Sequence, residues 1–218
     1  MPTEASQRAL EGLRDFTTLE WYVIPFLAIL FYIYALEVKQ ARKSGNWDAI
    51  IAGATVFGMD FVNETVNGWI FHLTQHSALW TTPGPTALRT MVGWNVEIMF
   101  MFAISGLIWY HTCSEDPAEK ILGVPNRWFW AISYAVFCVF IEWFLNVGDL
   151  LIWEYVFWNR SFAGVWLIFL FGYLHFYVAC ILVLHLKTMR NRLIAIGSIW
   201  GVAILLNIIG MGILGFQY

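Results

Sequence analysis

The chain has 218 residues, of which 60% are hydrophobic, 18% aromatic and only 12% charged, whereas soluble domains carry roughly 25% charged residues. The apolar residues come in long blocks, so the sequence reads as a polytopic membrane protein. The net charge of −3 offers no basic surface for nucleic acid, and no basic amphipathic segment points to a peripheral membrane protein.

The first residues, MPTEASQRALEGLRDF, are polar and of mixed charge, without the basic-then-apolar layout of a cleavable signal peptide. Residues 1–18 read as a polar N-terminal segment, with a short interfacial helix over 3–16, ahead of a single bundle domain over 19–216. A membrane-crossing helix needs about 20 mostly apolar residues. Six runs qualify: 19–38, 48–72, 91–112, 127–157, 162–186 and 193–215. The fourth is long enough to be either one tilted helix passing beyond the hydrocarbon or a span followed by a short second segment. The connection at 73–90 contains Thr82-Pro83-Gly84-Pro85 and reads as a turn-rich outer loop or lid. Cys113, Cys138 and Cys180 lack CxxC spacing and read as small packing residues.

With six spans, one side collects Lys39, Arg42, Lys43, Lys120, Arg127, Lys187, Arg190 and Arg192, and the other only Arg8, Arg14, Arg89 and Arg160. Splitting the fourth run erases this bias. The positive-inside rule therefore predicts an all-α transmembrane helix bundle of about six spans, with five or seven as alternatives, and both termini on the non-cytoplasmic side.

Six carboxylates fall within the spans: Asp60, Glu64, Glu97, Glu142, Asp149 and Glu154. No Lys or Arg lies there to pair with them, and His175 is the one centrally placed basic group. An ionised side chain inside a bilayer costs a few kcal/mol or more, so such residues face a protein interior or a wet cavity. Some of the six must keep their protons or hold a cation. Asp60, Asn63, Glu64 and Asn67 recur at spacings of three and four, on one helix face. Glu142, Asn146, Asp149 and Trp153 keep the 0, 4, 7, 11 spacing of a second stripe. In the six-span topology these residues, with Asn95, Glu97 and His175, share one layer from mid-membrane to the outer half. The bland alternative is that they are hydrogen-bonding glue between helices. Glu20 and Glu154 read as solvated at the interface. His72, His76, His111 and His185, near helix ends, read as interfacial.

Three uses of such a layer are open. The first is acid–base chemistry on a hydrophobic substrate, a protonated carboxyl giving and a neighbouring carboxylate taking a proton. Aromatic faces would stabilise an intervening cation, and Trp69, Trp94, Trp143, Trp153, Trp166 and Tyr173 are candidates to line the cavity. The second is a metal centre using His72-x3-His76, the carboxylates and His175. Against it, Asp60 and Glu64 lie turns away from His72, and there is no ExxH pair. The third is a binding protein or transporter without chemistry, for which no inverted repeat is visible.

The motif Asp60-Phe-Val-Asn-Glu64-Thr, the Glu97 of Trp94-Asn-Val-Glu-Ile, the run Gly148-Asp149-Leu150-Leu151 and His175 together resemble the emopamil-binding and sterol-isomerase-like (EXPERA) membrane proteins over about residues 50–185. Asp60 to Glu64, with Asn95 in the next span, is also similar to the Asn-x-x-Trp-Glu pattern of the fungal meroterpenoid terpene cyclases. Both resemblances imply an aromatic, acid-lined bundle that protonates an isoprenoid-derived lipid.

The expectation is thus a membrane enzyme, an isomerase or terpene cyclase, acting on an isoprenoid or sterol-like lipid by proton transfer, without cofactor or metal. Glu64 and Glu97 would be acid and base, and Asp60, Glu142 and Asp149 would share the proton. Trp94, Trp153, Tyr173 and His175 would line the cavity, with Asn67, Asn95 and Asn146 as further substrate contacts. The partners expected are a hydrophobic small molecule, entering sideways, and the surrounding lipids.

Overall fold

The computed structural model describes residues 1–116 and 118–218. Where no water is available to the backbone, a helix pairs its N–H and C=O groups within one segment, and the apolar runs take that form. A short helix, α1 (Glu4–Glu11), precedes six apolar ones: α2 (Val23–Ser44), α3 (Asp48–Thr74), α4 (Val96–Thr112), α5 (Asn126–Val147), α6 (Phe162–His185) and α7 (Met189–Ile213). Five are long and apolar enough to cross a membrane alone. The sixth, α4, has 17 residues. It is shorter than expected because Met91 to Asn95 are taken up by a hairpin of β1 (Arg89–Met91) and β2 (Trp94–Asn95). A smaller hairpin, β3 (Lys120–Ile121) with β4 (Val124–Pro125), turns the chain at the other end.

The most buried span is α3, which packs against α4, α6 and α7, while α2 and α7 turn most of their surface outward. Gly68 of α3 makes room for the ring of Tyr218, which is fully buried there. The N-terminal segment and the last residues therefore meet at the same end of the bundle, where Arg14 also donates to the Tyr218 carbonyl (3.2 Å).

Of the two readings of the fourth apolar run, the structure has the span followed by a separate segment. Helix α5 stops at Val147, Gly148 caps it, and Asp149 takes a left-handed conformation, φ 56°. The stripe expected over Glu142, Asn146, Asp149 and Trp153 therefore breaks after Asn146. Residues 148–161 instead fold over the end of the bundle.

That end carries a cap built from α1, the connection after α3, the β1–β2 hairpin and residues 148–161. Thr81 and Ile152 exchange backbone hydrogen bonds of 3.0 and 2.8 Å. Glu154, expected to be solvated, accepts from the hydroxyls of Thr3 and Ser77, both at 2.6 Å, and so ties three segments together. Arg89 is buried and spreads its guanidinium over the carbonyls of Thr82 (2.8 Å), Gly84 (2.6 Å) and Ala9 (3.3 Å). Burial lowers its pKa from the ordinary arginine value, and the charge of Glu97 pulls it back up. At the opposite end, Arg192 pairs with Asp48, and His111 with Glu37 at 3.0 Å.

In α6, Ile168–Leu174 is wound as a π-helix. Such wide turns leave carbonyls without their usual helical partners and often mark functional sites. Here the Asn63 amide of α3 donates to the carbonyls of Phe171 (3.1 Å) and Gly172 (3.3 Å).

Candidate functional site

A cavity of about 620 Å³ lies among α3, α4, α5 and α6, within the range of roughly 300–1,000 Å³ usual for small-molecule sites. Its walls are overwhelmingly apolar. Asp60, Glu64, Glu97 and Glu142 are its carboxylates, and among the described lining residues there is no Lys, Arg or His. On α4 the lining residues run from Glu97 to Ile108, about 16 Å of helix at 1.5 Å per residue. The space is therefore long as well as apolar.

Met101, Ile108, Phe137 and Ile141 line this cavity, yet each is 41–56% exposed on the outside of the bundle. The seam between α4 and α5 is thus open toward the lipid-facing surface, whereas the cap covers the end of the bundle.

Three of the four carboxylates are almost completely buried: Asp60 and Glu64 at 3% exposure and Glu142 at 5%. Each is held through one oxygen by one indole. Trp94 Nε1 donates to Asp60 Oδ2 at 2.8 Å, Trp80 Nε1 to Glu64 Oε1 at 2.9 Å and Trp153 Nε1 to Glu142 Oε1 at 3.0 Å. All three tryptophans lie outside the spans, in the connection after α3, in β2 and in the segment after α5. The acids come from the bundle and their donors from the cap. Indole donates and cannot accept, so this arrangement gives each acid a fixed acceptor oxygen without supplying a counter-charge. Glu64 Oε2 is buried and has no hydrogen-bond partner.

Trp80 also stacks on Trp158, with ring centroids 5.8 Å apart and planes 27° apart, and both line the cavity. Tyr173 and Phe102 stack nearby at 6.0 Å. We expect Trp80→Phe to lower stability by about 1–3 kcal/mol, the cost of leaving a buried acceptor unpaired. Thermal unfolding in detergent would measure this, with Trp166→Phe, at an exposed position, as the neutral comparison.

The sequence-expected residues divide into those the fold brings together and those it separates. Asp60, Glu64, Glu97, Glu142 and Tyr173 share the cavity. Glu97 sits in the first turn of α4 with its oxygens occupied by the Tyr22 hydroxyl (2.6 Å), the Ala87 amide (2.9 Å) and the Thr86 hydroxyl (2.5 Å). Trp94 and Trp153 do not line the cavity. They hold its acids from behind. Asp149 is exposed in a surface groove with Asn146, Trp153 and Arg160, because α5 ends before it.

The three remaining asparagines are structural. Asn67 clamps both backbone groups of Trp80, donating to the carbonyl (2.8 Å) and accepting from the amide (3.2 Å). Asn95 caps α4 by accepting from Ile98 N (2.9 Å). Asn146 donates to the Leu151 carbonyl (2.9 Å) and accepts from Arg160 (2.5 Å). His175 meets Asn63 through Nε2 at 3.1 Å and is not a lining residue. Trp143 and Trp166 are exposed, and Trp69 packs edge-on against Phe216. His72 stacks on Phe216 and His76 packs near Tyr155, both at the capped end and apart from the acids. Among the described residues no three His, Cys, Asp or Glu side chains are grouped to hold a metal ion.

A family model described as an uncharacterized membrane protein family matches residues 3–212. An uncharacterized protein of Archaeoglobus fulgidus is 43% identical over 178 residues, 82% of each chain. No solved structure matches this chain.

Proposed function

The chain belongs to this family of integral membrane proteins, and from that premise we propose that its cavity takes a hydrophobic lipid out of the bilayer and moves a proton onto and off it, as an isoprenoid or sterol-like isomerase or cyclase would. The observation that carries this reading is Glu64: one oxygen fixed by Trp80, the other buried without any donor. In this reading Glu64 carries the transferable proton on that second oxygen. Three buried acids beside Glu97 in one apolar space, with no Lys, Arg or His among the described lining residues, offer both a donor and a neighbouring acceptor.

In the proposed reaction the Glu64 proton adds to a carbon of a carbon–carbon double bond. A C–H bond forms, the π pair is consumed, and the adjacent carbon becomes cationic. The faces of Trp80, Trp158 and Tyr173 stabilise that charge through their quadrupoles. Asp60 or Glu142, as carboxylate, then removes a proton from a neighbouring carbon and the double bond re-forms there. In a cyclase, a second double bond of the same substrate attacks the cation before that proton leaves. Asp60 lies one turn from Glu64 on α3, which suits it to return the proton.

The open seam between α4 and α5 supports lateral entry. The excess of Lys and Arg at the uncapped end supports placing the cap and both termini on the non-cytoplasmic side. The resemblance to the sterol-isomerase-like proteins and the terpene cyclases agrees with this chemistry. The test is to purify the protein, identify co-purifying lipid by mass spectrometry, and incubate that lipid and a panel of polyprenyl and sterol lipids with the protein in deuterated water. Deuterium on carbon is the expected result. Saturable lipid binding with no deuterium in any of them would make this a binding protein.

A further inference from the structure

The acids occupy only one end of the cavity, and its other end is polar in a different way. Six hydroxyl residues of the spans show the usual behaviour of a serine or threonine in an apolar helix. Thr55, Thr65, Thr112, Ser133 and Ser198 each donate to the carbonyl four residues earlier, and Ser44 does the same at the end of α2. Ser105, on α4, does not. Its Oγ meets the hydroxyl of Tyr177 of α6 at 2.7 Å instead, and Tyr177 reaches Cys138 Sγ of α5 at 3.8 Å.

Counting hydrogens shows what is left over. Ser105 and Tyr177 have two hydroxyl hydrogens between them and share one hydrogen bond. If Tyr177 donates, the Ser105 hydrogen has no protein acceptor. If Ser105 donates, the Tyr177 hydrogen has only a weak acceptor, the thiol sulfur of Cys138. Tyr177 is fully buried, whereas Ser105 is half-buried and lines the cavity with Cys138 and Tyr134. Tyr134 lies further along the same wall. Thr112 spends its own hydrogen on the Ile108 carbonyl, so the Tyr134 hydroxyl must be the donor in their 2.6 Å contact. The oxygen lone pairs of Tyr134 then remain free. The Ser105–Tyr177 pair thus holds one unspent hydrogen about 12 Å along α4 from Glu97, and the Tyr134 oxygen lies two turns further along the same wall, beside Thr112.

We infer that Ser105, backed by Tyr177, forms a subsite for a neutral oxygen, a hydroxyl or carbonyl, at one end of the bound lipid. The ligand class this selects is a lipid alcohol or ketone with a medium-length unsaturated chain. Its oxygen lies at the deep end and its double bonds reach toward Glu64. The oxygen subsite rests on the cavity being a lipid site, as proposed above, but not on proton transfer; only the unsaturation of the chain rests on that.

The test uses the full chain in detergent, with farnesol and its hydrocarbon counterpart farnesene as probes, and reads the ratio of their affinities. Comparing variants in the same micelle cancels the difference in partitioning. Ser105→Ala is expected to lower the farnesol preference roughly tenfold, the worth of one hydrogen bond to a buried partner. Ser133→Ala, whose hydroxyl is already bonded to its own helix, should leave the ratio unchanged. An unchanged ratio in Ser105→Ala, an equal fall in Ser133→Ala, or no saturable farnesol binding would each overturn the subsite. A shifted ratio in a protein that puts no deuterium on any lipid would uphold the subsite and remove the acid–base chemistry.

Discussion

Glu64→Gln is expected to reduce proton transfer to lipid by about 10²–10⁴-fold, the usual contribution of a positioned general acid, while the protein stays folded and still binds its ligand. Glutamine keeps the length of the side chain and an oxygen that accepts the Trp80 indole proton. What it lacks is a transferable proton at the position of Oε2. Deuterium incorporation by the variant, compared with that of the wild type at equal binding, measures the loss. Asp60→Asn and Glu142→Gln provide the contrast. Each removes one of two candidate bases, so each is expected to slow turnover less than Glu64→Gln does. Full activity in Glu64→Gln would end this assignment of the acid, because Glu64 Oε2 is, among the described residues, the one carboxyl oxygen of the cavity that is both fully buried and without a partner.

The burial of Glu64 and Asp60 inside the bundle was legible in the sequence because the cost of a carboxylate in hydrocarbon is independent of tertiary detail. A buried acid in an apolar run announces itself wherever the run goes. The bundle was legible for the same reason, six apolar stretches having no alternative to helix. Less was legible where the chain leaves the helical period. The stripe through Asp149 and Trp153 assumed that α5 continues, yet Gly148 follows Asn146-Val147, and a glycine just past an apolar run is a helix stop signal. That signal was available and pointed the other way. The π-helical turns of α6 shift its register and let Asn63 bond to two carbonyls at once. Nothing in the residues Ile168–Leu174 dictates this.

The indole donors could not be read from spacing at all. Trp80, Trp94 and Trp153 stand 16, 34 and 11 residues from the acids they hold, and they reach them through loops whose path is set by the cap. With 13 tryptophans in the chain, lipid-facing rings such as Trp143 and Trp166 are indistinguishable by type from those that position a carboxyl. The physical signal was the opposite of the one sought. A tryptophan in a polar, turn-rich connection next to a membrane must satisfy its N–H somewhere, and the nearest strong acceptors are the acids of the spans.

Gly106→Val is expected to be the most destabilising single substitution in the bundle, because it acts on the contact that aligns the acids with the rest of the cavity. Gly106 of α4 faces Ala52 of α3 so closely that a Cβ there would sit 2.8 Å from the Ala52 carbonyl carbon and 2.8 Å from Val56 Cγ2. The first of these is backbone, which no rotamer change can move. Between membrane helices, where lipid is as apolar as leucine, such close approach supplies much of the packing attraction. A side chain at 106 must push α4 away from α3. Forcing extra atoms into a well-packed core costs about 1–3 kcal/mol even where side chains can yield, and here they cannot. The displacement also separates Asp60 and Glu64 on α3 from Phe102 and Ser105 on α4, so activity and ligand binding should fall together. Thermal unfolding in detergent, read beside Gly197→Ala, gives the comparison. Gly197 lies on α7 with nothing within 4 Å of a Cβ, and alanine there should be neutral or gain up to about 1 kcal/mol of helix propensity. If the two variants unfold at the same temperature, the α3–α4 approach is not what holds the cavity together.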